Sequence, residues 1–121
     1  DDLEGGGGRD VLIGGRGRDT LDGGGGRDRF DFDSARDSTR RKSDTIENFR
    51  SGQDEIDLSD VADGLTFIGS SRFSGDGGEV RVVARRGDLR VDVDLDGRGG
   101  PDMRILVETN ADDLRAGDFI L

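Results

Sequence analysis

The chain has 121 residues, with 28 acidic and 18 basic side chains and a net charge of −10, enough for one domain with a modest core. It contains no histidine and no cysteine, which excludes disulfides, thiolate or imidazole metal sites, and serine–histidine or cysteine–histidine nucleophile systems. No apolar run nears the roughly 20 residues of a membrane-spanning helix, and the acidic field repels phosphate, so neither a membrane span nor a nucleic-acid partner is expected.

The acids are 23 aspartates and 5 glutamates. Helical surfaces favour glutamate, whereas aspartate suits turns, caps and hard-cation sites. With 22 glycines, 38% charged residues and 5% aromatics, the bare chain is close in composition to a disordered polymer. Its compaction calls for something that neutralises carboxylates.

From the N-terminal end, Asp1, Asp10, Asp19 and Asp28 recur every nine residues, with Leu3, Leu12, Leu21 and Phe30 in phase. Three full units, GGGGRDVLI, GGRGRDTLD and GGGGRDRFD, fit G-G-x-G-x-D-x-U-x, where U is large and apolar. The glycines permit positive φ and close backbone approach, so carbonyl oxygens can turn inward around an ion. The aspartate adds a charged oxygen. The last three residues alternate as a short strand that points U to one face. Two units make one coil, so the loops at 5–10 and 23–28 stack on one edge and the loop at 14–19 lies on the other. A flexible glycine-rich linker is the alternative, but a linker does not keep aspartate and leucine in phase through four units. Calcium, with roughly six to eight oxygens in a flexible shell, suits such loops better than magnesium does.

Residues 34–43 read as a polar loop. Ile46, Phe49, Ile56 and Leu58 are spaced as core contacts around a turn at Ser51-Gly52. Strand-like runs follow at Glu79–Val83, Leu89–Val93 and Met103–Val107, expected to pair antiparallel with a hairpin turn at 97–101. Residues 110–116 suggest one helical turn, with Asn110 as N-cap and Asp113 at N3. Asp92, Asp94, Asp96 and Gly97 open like an EF-hand loop, but the twelfth position is Met103 where a bidentate glutamate is needed. An acidic hairpin is the preferred reading there, with weak calcium contact as the alternative.

The nonapeptides resemble the RTX, or haemolysin-type, calcium-binding repeat. Arg29–Ala35, Ser43–Phe49 and Ser51–Ser59 look like the segment that follows the last repeat in serralysin-type metalloproteases, and the R-modules of mannuronan C5-epimerases carry a similar one. Thr66-Phe67-Ile68-Gly69, Phe73 and Ala116–Leu121 are nearer the protease version, while residues 76–100 match less clearly. The resemblance implies an all-β fold, with a short parallel β-roll over residues 1–33 followed by an antiparallel, sandwich-like β cap over residues 34–121. It implies a calcium ion held by Gly5, Gly7 and Asp10 of one loop and by Gly24, Gly26 and Asp28 of the next. A second ion would be shared by Asp1 with Gly15, Gly17 and Asp19, in a loop that also holds Gly14 and Arg16. Asp44 and Asp37 are the expected extra ligands at the exposed end of the roll.

The function so implied is that of a non-catalytic, calcium-binding C-terminal module of a secreted, extracellular protein. Calcium outside the cell folds it, and Asp118-Phe119-Ile120-Leu121 resembles a signal for type I secretion machinery. A monomer is expected. The alternative is a module that grips an anionic, alginate-like polysaccharide through Arg9, Arg18 and Arg27, whose guanidinium groups suit bidentate carboxylate contacts. A third reading, an enzyme in its own right, has the least support from the residues.

Overall fold

The computed structural model describes residues 1–98 and 100–121. The predicted turn at 97–101 therefore includes one position, Gly99, that lies outside the described residues. After β1 (Asp2–Glu4), each nonapeptide places a glycine loop before a short strand: β2 (Val11–Leu12), β3 (Thr20–Asp22) and β4 (Arg29–Asp31). Then come β5 (Asp44–Phe49), β6 (Glu55–Asp57), β7 (Thr66–Phe67), β8 (Glu79–Arg85), β9 (Asp88–Asp94), β10 (Met103–Thr109) and β11 (Phe119–Ile120). The fold is all-β. A seven-stranded sheet runs β1-β3-β5-β10-β9-β8-β7, and a four-stranded sheet runs β11-β6-β4-β2.

Successive repeats alternate between the two sheets, as a coil of two nonapeptides requires. Every pair along β1-β3-β5 and along β2-β4-β6-β11 is parallel. Because register is held, the apolar residue of each unit lies over its counterpart. Leu3, Leu21 and Ile46 align in one sheet, and Leu12, Phe30, Ile56 and Phe119 in the other. Leu21, Phe30, Ile46 and Ile56 are completely buried. The parallel stack continues past residue 33, because β5 and β6 add one more coil after the repeat has broken down.

The cap grows from the same sheet. β10 pairs parallel with β5 on one side and antiparallel with β9 on the other, and β8 pairs antiparallel with β9. Val80, Val82, Leu89, Val91, Val93, Met103, Ile105 and Val107 alternate inward and join one core with the leucines and phenylalanines of the roll. The β8–β9 connection is a two-residue hairpin, Arg86-Gly87, with φ of 50° and 88°, as a tight turn between right-twisted strands demands. The expected turn at Ser51-Gly52 is present, with Gly52 at φ 85°.

Two local expectations change. Within 34–43 a 3₁₀ turn, Ala35–Asp37, forms after Ser34, whose Oγ accepts from Arg36 N at 3.2 Å. Residues 110–113 bend without forming a helix, and the single helical turn is instead Ala116–Asp118. Asn110 is exposed and caps nothing. The local hydrogen bonds go elsewhere: Thr109 Oγ1 accepts from Ala111 N, Asp113 Oδ1 from Leu114 N, and Asp118 Oδ2 from Arg115 N.

Candidate metal centre

Positive φ in the glycine loops lets neighbouring coils approach backbone to backbone. The loops at 5–10 and 23–28 stack, with Gly25 N donating to Gly6 O at 2.9 Å. Gly24 and Gly26 lie so close to the loop beneath that a Cβ on either would overlap the carbonyl oxygen of Gly6 or Gly8. The loop at 14–19, with Gly14, Gly15, Arg16 and Gly17, lies on the opposite edge. Asp1 is beside it, its nitrogen 2.5 Å from Asp19 Oδ1.

The aspartates form two ladders. On one edge Asp10 N donates to Asp28 Oδ1 and Asp28 N donates to Asp54 Oδ1, each at 2.9 Å. On the other edge Asp19 N donates to Asp44 Oδ1 at 2.8 Å. Asp28, Asp44 and Asp54 thus each cap the rung below with Oδ1, and Asp10, Asp19 and Asp28 turn a second oxygen toward the first glycine of their own repeats. In Asp10, Asp19, Asp28 and Asp44 that second oxygen, Oδ2, is buried and has no hydrogen-bond partner. The first glycine of each repeat makes room for it. A Cβ on Gly5 would lie 2.7 Å from Asp10 Oδ2, one on Gly14 would lie 2.8 Å from Asp19 Oδ2, and one on Gly23 would overlap Asp28 Oδ2.

Buried acceptors without donors are strongly unfavourable unless a cation or proton completes them. Burial pushes Asp44 up to about 7; the Asp19 N–H opposes this, and the charges of Asp19 and Asp37 add to it. Burial likewise raises Asp28, with Asp54 and Asp10 adding to the shift. Orphaned carboxylate oxygens beside tightly turned backbone make an all-oxygen donor set, which fits a hard divalent cation.

The predicted residues therefore come together as two groups. Gly5, Gly7, Asp10, Gly24, Gly26 and Asp28 share one edge, while Asp1, Gly14, Gly15, Arg16, Gly17, Asp19 and Asp44 share the other. Asp44 is completely buried, and Ser38 Oγ accepts from its backbone nitrogen. Asp37 is buried and reaches back to accept from Asp33 N at 3.1 Å, while its charge bears on Asp44. Asp54 was not foreseen. It closes the first edge as Asp44 closes the second, but its other oxygen already accepts from Arg50 N at 2.9 Å. The signal was in the sequence: Gly52-Gln53-Asp54-Glu55-Ile56 keeps the G-x-D-x-U ending of a repeat.

Two further acidic groups lie outside the ladders. Asp94, Asp96 and Asp102 bring carboxylate oxygens within 4.8 Å of one another, as do Asp31, Asp33 and Asp60. Asp92, the first acid of the EF-hand-like run, is not among them, because Arg104 Nε and Arg90 Nε lie 2.8 and 3.1 Å from its carboxylate. Arg9, Arg18 and Arg27 do not form one stripe. Arg9 and Arg27 flank a small cleft with Glu55 on one edge, and Arg18 lies on the other, its Nη2 bonded to Arg41 O at 2.8 Å. A repeat of nine places consecutive loops on opposite edges, so their fifth residues cannot line up.

The parallel coil with its stacked glycine–aspartate loops defines a β-roll module of the RTX type. The family model described as Peptidase M10 serralysin C terminal matches residues 2–121, and the chain belongs to that family. Among solved structures it is similar to the AlgE6R3 subunit of the Azotobacter vinelandii mannuronan C5-epimerase, with 29% identity, a TM-score of 0.71, and coverage of 99% of this chain and 67% of that one. The AlgE6R2 subunit of the same epimerase matches at 28% identity and a TM-score of 0.49, covering 100% of this chain and 87% of that one. No curated protein matches the chain. Among the described residues no helix is long and apolar enough to cross a membrane.

Proposed function

We propose that this chain is a calcium-binding, non-catalytic C-terminal module of a secreted protein, and that calcium outside the cell drives its folding. The observation that carries this reading is the set of four buried aspartate oxygens, on Asp10, Asp19, Asp28 and Asp44, that no protein donor satisfies. Asp10 with Asp28 would hold one ion and Asp19 with Asp44 another, with glycine-loop carbonyls completing each shell. Asp1 and Asp37 stand beside the second position. Bound calcium would supply charge neutralisation and cross-link consecutive coils; the chain's own residues position its oxygens and exclude water from them.

The far end of the chain supports a link to export. Asp118 is buried and accepts from Ser51 Oγ, Gly52 N and Arg115 N at 2.7–2.8 Å, while Phe119 and Ile120 pair with β6. In the folded module these residues are locked into a sheet. Only a loose, calcium-poor chain would present them to type I secretion machinery, after which extracellular calcium would fold them away. The module is monomeric in this reading. Circular dichroism during a calcium titration, with magnesium as control, tests it. A cooperative gain of β signal with calcium alone is expected; a full β spectrum after exhaustive chelation would sink the folding switch.

A further inference from the structure

On the outer face of the seven-stranded sheet, bordering the Asp19–Asp44 edge, Arg18, Arg40, Arg85, Arg86, Arg90 and Arg104 line one groove of about 640 Å³. Six cations gather there in a chain whose net charge is −10. The two acids on its lining are Asp88 and Glu108, so the groove keeps a local excess of positive charge. Arg104 spends its Nε on Asp92 at 2.8 Å and Arg18 spends one Nη on Arg41 O. Arg90 is less well served. Its Nε is 3.1 Å from Asp92 Oδ2 but out of line for a hydrogen bond, and it is buried without another partner. Burial lowers its pKa; Asp92 opposes that shift, and Arg104, Arg85 and Arg81 reinforce it.

The chemistry of the lining narrows the occupant. Leu106, beside Arg90 in the β9–β10 register, remains 38% exposed in the groove. An apolar centre rimmed by arginine is the composition of a protein-binding patch. Among the described residues no aromatic side chain lines the groove, which leaves neither a ring for a sugar face to pack on nor a stacking platform for bases. We propose that this groove docks an acidic, leucine-bearing segment of a partner polypeptide, its carboxylates paired with the arginines and its leucine set against Leu106. Guanidinium forks suit carboxylates two oxygens at a time.

The test is fluorescence anisotropy of a dye-labelled peptide of alternating glutamate and leucine, titrated with the whole calcium-loaded chain. Saturable binding is expected. R85Q/R86Q, at an exposed hairpin, should weaken it roughly ten-fold, in line with the loss of two charge-assisted contacts. L106S should weaken it several-fold, which a purely electrostatic attraction would not show. A glutamine–leucine peptide should fail to bind. Absence of saturable binding overturns the proposal, as does unchanged affinity in R85Q/R86Q or in L106S. A uronic-acid oligomer that binds more tightly than the peptide also overturns it and reassigns the groove to glycans. Circular dichroism of each variant in calcium shows whether the fold is kept, and the proposal is judged on variants that keep it.

Discussion

The roll and the cap bury the same kind of group and treat it in opposite ways. In the cap, Asp92 is buried against Arg90 and Arg104, and Asp118 against three protein donors. In the roll, Asp10, Asp19, Asp28 and Asp44 each keep one buried oxygen without a hydrogen-bond partner. These cap carboxylates find their partners within the polypeptide; those of the roll do not, and in the proposed reading a cation completes them. The apolar framework differs too. Each short coil of the roll contributes one large inward residue per strand, whereas β8, β9 and β10 present two or three each. On the proposed function, burial suffices for the cap, whereas the roll needs burial plus ions.

Removing calcium should therefore have the largest effect, and an uneven one. Each site at about ten times its dissociation constant adds roughly 1.4 kcal/mol by mass action, a large share of a small domain's stability when two or more are filled. Hydrogen exchange after chelation should show amides of β1 to β4 losing protection first, with those of β8 and β9 keeping theirs longer. Equal loss in both regions would break the comparison, making the shared core a single cooperative unit.

Asp44 sharpens it through pH. Its folded pKa is about 7 without metal, above the roughly 3.9 of a free aspartate. The folded state therefore holds more protons than the unfolded state across that window. The ion-free chain is accordingly stabilised below about pH 4 and loses that contribution as pH rises through 7. Calcium competes with the same proton, so its affinity should climb over the same range. Calorimetric titrations at low and neutral pH check this; an affinity independent of pH would remove Asp44 from the site. The variant D44N should weaken calcium binding about ten-fold or more yet leave the ion-free chain as stable as before or more so at neutral pH, because it deletes a repelling charge.

Much of this was legible in the sequence, and what was not has identifiable causes. A strict period of nine gave the parallel coil, its two edges and the phased leucines, because repeated local geometry writes itself directly into spacing. The three cap strands were legible from alternation. Asp54 escaped because it lies 26 residues after Asp28 rather than at a multiple of nine, and only the G-x-D-x-U ending survives. The helical turn at Ala116–Asp118 escaped because Asp118, besides accepting from Arg115 N, is anchored by Ser51 and Gly52, 67 and 66 residues away. The arginine groove gathers residues from four separate stretches, and no linear pattern announces such a meeting.

Adjacent glycines separate loop stacking from mere flexibility. Gly26, at φ 103°, faces the Gly8 carbonyl, while a Cβ on Gly25 would meet nothing within 4 Å. G26A should destabilise the calcium-loaded module by about 2–4 kcal/mol through strain and overlap. G25A should stay within about 0.5 kcal/mol. Thermal melts in calcium decide it, and equal effects would mean that the loops do not stack closely in solution.

The smallest effect belongs to the cap, and its lack of calcium dependence is the point. D92N keeps the shape of the side chain but weakens its pairing with Arg104 and Arg90. The expected cost is about 1–2 kcal/mol, the scale of a weakened charge-assisted hydrogen bond at a buried site. Because Asp92 lies outside the ladders, calcium affinity should stay at its original value, whereas D28N should lower it. A D92N chain that lost calcium affinity would show that the cap and the roll share their electrostatics after all, and that the division between a self-sufficient half and an ion-dependent half is wrong.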